Sequence, residues 1–301
     1  MTQSPLGMSR QKKMENWTAW CFLIPSLLGF TVYYLIPIVL GVGMSFTDFA
    51  SVSSPFQFIG LSNFRRLLTD RYVSTSFRNN LIYMLIFTPA TLLLSLLLAL
   101  ALNHAARGRK FYRICFFLPY ITSMVAVAVI WRLLLNPTNG PINVTLRTLG
   151  VQSPPKWLLS VDSALYAIIL VSIWKQFGYY MIILLAGLQA VPSYLNESAV
   201  IDGANNFQRF RHVTIPMLSP TLFLCLIMLV ISSFQVFDLV SVLTNGGPGM
   251  ATTVLVMRIY TEAFKYGHMA YSSAISVFLF LIVLVITALQ FLGQKYWVHY
   301  E

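Results

Sequence analysis

The sequence predicts an all-α membrane protein with six transmembrane helices, and three observations support this fold class. Of its 301 residues, 57% are hydrophobic and only 10% are charged, with a mean hydropathy of +0.72, whereas soluble domains are about 25% charged. Several nearly uncharged runs exceed the roughly 20 residues that a helix needs to cross a bilayer. Those runs are continuous, unlike the ~10-residue alternating segments of an outer-membrane barrel.

Each predicted helix corresponds to one apolar run. The runs cover residues 17–46, 80–102, 111–135, 164–190, 220–243 and 269–292. Arg10, Lys12 and Lys13 precede the first run, as in a signal peptide, but about 30 apolar residues exceed the length of a signal-peptide core. The connections between runs are shorter than the ~40 residues of a small independent domain. Residues 1–301 are therefore expected to form a single transmembrane domain.

The formal net charge of +11 bears on membrane topology, because lysine and arginine accumulate in short cytoplasmic loops. Arg107, Arg109, Lys110 and Arg113 crowd the connection between the second and third runs. This predicts that the connection and both termini are cytoplasmic. Nucleic-acid binding would require a basic soluble face with stacking aromatics, and the sequence contains none.

A polar segment at residues 191–219 predicts two short helices joined by a glycine turn. Pro192 can begin the first helix, and Gly203 permits a left-handed turn after it. Asn205 and Gln208 have the spacing of a capping box for the second helix, which Pro216 is expected to end. The second helix can rest on lipid headgroups as an amphipathic helix. Alternatively, its Phe207 and Phe210, which would project together, can anchor it in a partner's cleft.

The same segment carries a family resemblance. The spacing Glu197-Ser198-Ala199-x3-Gly203-x9-Val213-x-Ile215-Pro216 resembles the E-A-A-x3-G-x9-I-x-L-P motif of binding-protein-dependent importers. Serine, valine and isoleucine replace alanine, isoleucine and leucine of that motif. Two further stretches resemble the maltose-type (carbohydrate uptake) first permease of the family. They are Trp131 with Asn136-Pro137 and Gly140–Asn143, and Leu243-Thr-Asn-Gly-Gly-Pro-Gly249.

The resemblance implies a type I ABC-importer-like transmembrane domain with a short cytoplasmic coupling helix, in a bacterial or archaeal inner membrane. It implies four kinds of partner: a second homologous permease, two ABC ATPase subunits, an external or periplasmic solute-binding protein, and a carbohydrate. Membrane lipids surround the chain. It also implies which residues meet the ATPase. These are Glu197, Ser198, Ala199, Asp202, Gly203, Ala204, Phe207, Phe210, Ile215 and Pro216.

The chain is expected to be a non-catalytic subunit. It contains neither a G-x-x-x-x-G-K-[ST] phosphate loop nor an H-E-x-x-H metal pair. No cofactor or metal is therefore expected on this chain, and ATP and Mg²⁺ belong to the partner ATPases. The alternative functions are an ion-coupled secondary transporter or a channel subunit, which inverted repeats or intramembrane acid relays would indicate. An intramembrane enzyme is a third class.

Polar side chains within the last three runs form the predicted solute pathway, because such groups are costly in a bilayer unless they face a cavity or partner. They are Trp174, Lys175, Gln176, Tyr179, Tyr180, Ser232, Gln235, Asp238, Tyr271, Ser272 and Ser276. Hydrogen bonding between helices is an equally good explanation for any one of them. Lys175 is expected to face water, solute or an acid such as Asp238.

The predicted solute is a carbohydrate, and the sequence is compatible with both a neutral and an acidic one. Aromatic rings stack on sugar faces, and amides and hydroxyls exchange hydrogen bonds with sugar hydroxyls, which suits a neutral saccharide. Arg65, Arg66, Arg71 and Arg78 in the expected outer loop also allow an acidic saccharide or a sugar phosphate. Those arginines can instead contact lipid phosphates or the binding protein.

Overall fold

The computed structural model describes residues 10–50, 56–104 and 108–299. Its α-helices are α1 (Arg10–Phe30), α2 (Ile36–Met44), α3 (Ser62–Thr69), α4 (Arg71–His104), α5 (Arg109–Ile121), α6 (Met124–Leu134), α7 (Pro141–Thr148), α8 (Ala164–Ala190), α9 (Ser193–Ile201), α10 (Asn206–Arg209), α11 (Ile215–Phe234), α12 (Asp238–Leu243), α13 (Leu255–Tyr260) and α14 (Met269–Gln294). Arg107 and the side chains of Arg10, Lys12 and Lys13 lie outside the described part of the chain.

The predicted six-helix membrane bundle is confirmed when one bent pair counts as a single span. Among the described residues, five continuous helical stretches are long and apolar enough to cross a membrane. They are Trp17–Met44, Arg71–Asn103, Ala164–Ala190, Asn206–Phe234 and Met269–Gln294. A sixth is formed by α5 and α6 together, whose axes are bent by 95°.

The third apolar run is therefore broken, where the sequence predicted a continuous helix over 111–135. Thr122 and Ser123 separate α5 from α6 and have extended backbone angles, with ψ of 151° and 132°. Both halves remain strongly apolar, so hydropathy does not distinguish a broken span from a straight one. Pro119 lies in the last turn of α5, where the helix is already ending.

The bounds of the fifth span also differ from the prediction of 220–243. Helical structure continues from Asn206 through a π-helical turn at Phe210–Thr214 into α11. The N–H of Ile215 donates to the carbonyl oxygen of Phe210, five residues earlier. Pro216 has no N–H to donate and follows this wider turn without ending the helix, so the predicted stop at Pro216 is wrong. The span ends at Phe234, before the short α12.

The core of the bundle lies around α8, against which α4, α5 and α11 pack. Ile168, Met181, Leu184 and Leu185 on α8 are completely buried. In contrast, none of the first span is buried within the chain, and α2 packs mainly against α14. A helix that is apolar all round and unburied within the chain faces lipid or another subunit.

The 191–219 segment lies at one end of the bundle together with the last described residues of the chain. The N–H of His299 donates to Ser219 Oγ at 2.9 Å, so the residues after α14 return to the beginning of α11. Residues 37–42 of α2 border residues 273–280 of α14, which directs α1 toward the same end. We call this the 191–219 end, and the other the opposite end.

Candidate functional sites

The 191–219 segment forms the predicted helix–glycine–helix unit. Its first helix, α9, ends just before Gly203. The φ of Gly203 is +79°, in the left-handed region that glycine adopts without strain. The predicted capping box is confirmed: Asn205 Oδ1 accepts from the N–H of Gln208 at 2.9 Å, and the N–H of Asn205 donates to Gln208 Oε1 at 2.8 Å. These local bonds fix the start of α10, and the N–H of Ala204 donates to the carbonyl oxygen of Ala199 at 2.9 Å at the end of α9.

Exposed apolar side chains mark the outer surface of this unit. Ile201 is 85% exposed and Phe207 is 68% exposed, and Tyr194 and Val200 are also exposed. Ala199 and Ala204 are half-buried beside a shallow cleft. We call Tyr194, Val200, Ile201 and Phe207 the apolar patch of the 191–219 segment.

Acidic and polar residues of the predicted coupling set surround this patch. Glu197, Ser198, Asp202 and Gly203 are exposed. The aliphatic residues of the patch, Val200 and Ile201, were not predicted from the sequence. Ile201 could have been identified as a bulky apolar residue at the end of a polar helix.

Phe210 does not project with Phe207 as the sequence suggested. It is half-buried and lines a cavity of about 520 Å³ with Asn196 and Arg209. The N–H of Phe210 donates to the carbonyl oxygens of Asn206 and Phe207, so its helical spacing is regular, but its side chain faces Leu100 and Leu188 of the bundle across this cavity. Ile215 and Pro216 are half-buried at the start of α11, so they support the segment from within the bundle.

A second candidate site lies between α5, α8 and α11. It is a cavity of about 400 Å³, which we call the chamber. Its walls are Tyr120, Met124, Lys175, Gln176, Tyr179, Tyr180, Met228, Ile231, Ser232 and Gln235. The structure thus brings together the predicted pathway residues of the fourth and fifth spans, apart from Trp174 and Asp238.

The chamber has an aromatic wall that the sequence argument missed in part. The rings of Tyr120 and Tyr179 stack with centroids 4.4 Å apart and planes 15° apart. Amide and hydroxyl groups from Gln176, Ser232 and Gln235 line the same cavity. Tyr120 was missed because it lies near the end of α5, inside a third run that was interpreted from the sequence only as apolar.

Lys175 has a different partner from the predicted one. Its Nζ donates to the carbonyl oxygens of Pro119 at 2.9 Å, Tyr120 at 3.2 Å and Thr122 at 2.7 Å. Asp238 instead begins α12 and is exposed. The break between α5 and α6 leaves carbonyl oxygens without helical partners, and the buried ammonium binds them.

The predicted pathway residues of α14 lie apart from the chamber within this chain. Tyr271 is buried and donates to Asp70 at 2.7 Å, while Ser272 and Ser276 donate to carbonyl oxygens of their own helix. Ser276 lines a separate apolar groove between α2 and α14. Trp174 likewise packs edge-on against Trp131, at 5.4 Å between centroids. Within this chain the predicted pathway residues of the sixth span therefore do not join those of the fourth and fifth, and their convergence with a second permease stays a prediction.

A buried ion network ties the helices together at the opposite end. Arg258 pairs with Asp70 at 3.3 Å and also with Glu262, and His268 Nδ1 lies 2.7 Å from Glu262. Burial alone would raise the pKa of Asp70, but hydrogen bonds, first from Tyr271 and then from a backbone amide, together with Arg258, lower it below its usual value. The packing role of Arg258 was not predicted from the sequence.

Comparison with known proteins agrees with this architecture. Residues 91–297 match the family described as binding-protein-dependent transport system inner membrane component. A probable ABC transporter permease protein of Pyrococcus horikoshii is 36% identical, covering 92% of this chain and 94% of that protein. The sn-glycerol-3-phosphate transport system permease protein UgpA of Yersinia pestis is 34% identical, covering 95% and 97%.

A solved structure has the same fold. It is the crystal structure of a bacterial alginate ABC transporter in complex with an alginate pentasaccharide-bound periplasmic protein, with a TM-score of 0.82 and 24% identity, covering 94% of this chain and 96% of that chain. The family match spans the chamber, the 191–219 segment and the last span. The chain is therefore a permease subunit that belongs to the family of binding-protein-dependent transport system inner membrane components.

Proposed function

We propose that this chain forms half of the translocation pathway of an ATP-driven importer for a saccharide, and that its 191–219 segment couples it to an ATPase. The observation that carries this proposal is the exposed apolar patch on the capped helix–glycine–helix unit. In a permease without a phosphate loop, an exposed, ordered unit of this kind is suited to dock with the subunit that hydrolyses ATP.

The composition of the 191–219 surface favours a protein partner over lipid. Exposed Glu197 and Asp202 lie beside the apolar patch, and carboxylates are repelled by anionic headgroups. Apolar anchors surrounded by polar groups are typical of protein interfaces. The two acids are suited to meet basic groups of the ATPase, and Ile201 and Phe207 are suited to fill its cleft.

The proposed orientation of the chain in the membrane follows from the presence of ATP in the cytoplasm. If the 191–219 end contacts an ATPase, it faces the cytoplasm, and both termini do so as well. The cations Arg109, Lys110 and Arg113 follow α4, which ends at the 191–219 end. This agrees with the bias of lysine and arginine toward cytoplasmic loops.

The chamber is the proposed contact for solute. A stacked tyrosine pair with amides and a hydroxyl close by offers both an apolar face and hydrogen-bond partners for a sugar ring. The similarity to permeases of sn-glycerol-3-phosphate and alginate systems supports a saccharide or a related polyol. Family membership also favours ATP-driven import over an ion-coupled transporter or a channel.

The proposed complex contains a second homologous permease, two ATPase subunits that hold ATP and Mg²⁺, and a periplasmic or external solute-binding protein. The unburied first span and the groove between α2 and α14 leave apolar surface for the second permease. The alginate transporter was solved with its periplasmic protein bound, which supports a solute-binding protein as a partner.

Affinity purification of the tagged chain tests the ATPase assignment. The soluble ATPase should copurify with the wild-type chain and be lost with Gly203→Pro, because proline cannot adopt the positive φ of this turn. Gly29→Ala, at a position with open space around it, is the matched control. Retention of the ATPase by the Gly203 variant would contradict docking through this segment.

A further inference from the structure

Lys175 is buried in the middle of α8, and all the donors of its ammonium group are engaged. A lysine ammonium has three N–H donors and no acceptor. The three carbonyl contacts at 2.7 to 3.2 Å match these donors one to one. Lys175 therefore has no donor left for a solute, although it lines the chamber.

The accepting carbonyls come from the break in the third span. The last carbonyls of α5 have no helical partners beyond Ile121. In a bilayer, unsatisfied backbone groups cost several kcal/mol each, so the 95° bend needs a polar partner at this depth. Lys175 provides it, and Thr122 Oγ1 donates to the Pro119 carbonyl as well.

Close packing of α8 on α5 makes this contact possible. A Cβ atom at Gly178 would overlap the carbonyl oxygen of Phe116. Gly178 lies three residues after Lys175, on the same face of the helix. The same contact brings Tyr120 of α5 against Tyr179 of α8. The stacked pair thus depends on how α5 ends.

The chamber offers no other charged side chain among the described residues that line it. The positive charge of Lys175 faces the C-terminus of α5, whose carbonyls carry roughly half a negative charge. The groups left to face solute are tyrosine rings, amides and a hydroxyl. These groups bind uncharged hydroxyls, and they carry no formal charge that would offset the desolvation of a carboxylate or phosphate.

We propose that Lys175 is a positioning residue that holds the broken third span and its tyrosine pair, and that this chain's half of the pathway selects uncharged polyhydroxy solutes. The specificity part rests on the proposed saccharide function. It narrows the solute to one without carboxylate or phosphate groups, although the sequence left both kinds open. In this respect the chain would differ from the sn-glycerol-3-phosphate and alginate systems, whose named solutes are charged.

The positioning role can be tested without any transport measurement. Spin labels on cysteines replacing the exposed Ile114 and Leu133, in a background lacking the native cysteines, report the angle between α5 and α6. A straight helix would separate these positions by about 28 Å, whereas the observed bend gives about 19 Å. Pulsed electron paramagnetic resonance on the purified complex measures this distance.

We expect a narrow distribution at the short distance for the wild type and for Lys175→Arg, which retains enough donors. Lys175→Met should broaden it toward longer distances. Lys265→Met, at an exposed lysine of the opposite end, should have no effect. If Lys175→Met does not assemble, Lys175→Gln, with two donors, should give a partly broadened distribution. An unchanged distribution in the Met or Gln variant would overturn the positioning role.

Calorimetric titration of the complete complex, without the binding protein, tests the specificity. A neutral oligosaccharide should bind at least tenfold more tightly than a uronate oligosaccharide of equal length. Lys175→Met should lower the affinity for the neutral oligosaccharide by about threefold to tenfold, and Lys175→Arg should restore it. Equal or tighter uronate binding that is lost in Lys175→Met would overturn the specificity. Binding of neither saccharide would contradict the proposed solute class, and the spin-label distance would still decide the positioning role.

Discussion

Replacing Phe207 by alanine should weaken ATPase binding by about 2.5 kcal/mol. Phe207 is 68% exposed, and a phenylalanine can bury roughly 200 Å². Docking would therefore remove about 135 Å² from water, worth about 3.4 kcal/mol at roughly 25 cal/mol per Å². Alanine would retain about a quarter of this. The difference corresponds to an affinity about 60-fold lower.

The assay is equilibrium binding of the purified ATPase subunit to the permease complex in nanodiscs. Phe264→Ala is the matched control, because Phe264 is 71% exposed and lies near the opposite end, just before α14. Ile201→Ala should also weaken binding, and Phe264→Ala should not. An affinity within twofold of the wild type for both Phe207→Ala and Ile201→Ala would refute the apolar patch as a docking surface.

Three further predictions concern packing and stability. Gly178→Ala should destabilise the bundle by about 1 to 3 kcal/mol through overpacking, which would appear as thermal unfolding in detergent at a lower temperature. Gly41→Ala, at a position with open space around it, is the control. Equal unfolding temperatures for the two variants would contradict the close approach of α8 to α5. The lowered pKa of Asp70 means that its stabilisation is present above the unfolded-state value near 3.8 and is lost as pH falls through the folded pKa. The Asp70→Asn variant should therefore be less stable than the wild type at neutral pH, and the difference in free energy of unfolding should shrink below about pH 4. A difference that does not change with pH would argue against the network. Gly203→Ala should cost about 1 to 2 kcal/mol in the left-handed turn and speed hydrogen exchange in the 191–219 segment, and unchanged exchange would show that the turn is unstrained.

The sequence was sufficient for features that depend on local chemistry. Hydropathy located the spanning helices, and the capping box of Asn205 and Gln208 was predictable because both partners lie within one turn. Gly203 was predictable because few residues tolerate its φ. Family spacing then identified the 191–219 segment as a unit.

Features that depend on packing between distant parts of the chain were not predictable. The break at Thr122 has Pro119 and two polar residues as its local signals, and both sides of it are apolar. Lys175 was assigned to solute or Asp238 because backbone carbonyls, its actual partners, are present at every residue. Tyr120 became part of the chamber only through the bend, and Tyr271 was drawn away from it by Asp70, 201 positions earlier in the chain.

The central claim is that this chain conducts a saccharide only when an ATPase drives it through the 191–219 segment. Uptake of a radiolabelled saccharide into proteoliposomes containing the complete complex, with the binding protein outside and ATP trapped inside, measures this most directly. We expect uptake that requires ATP and is lost in Gly203→Pro, while Gly29→Ala behaves as the wild type. Uptake that persists without ATP, or that is unchanged in Gly203→Pro, would contradict it.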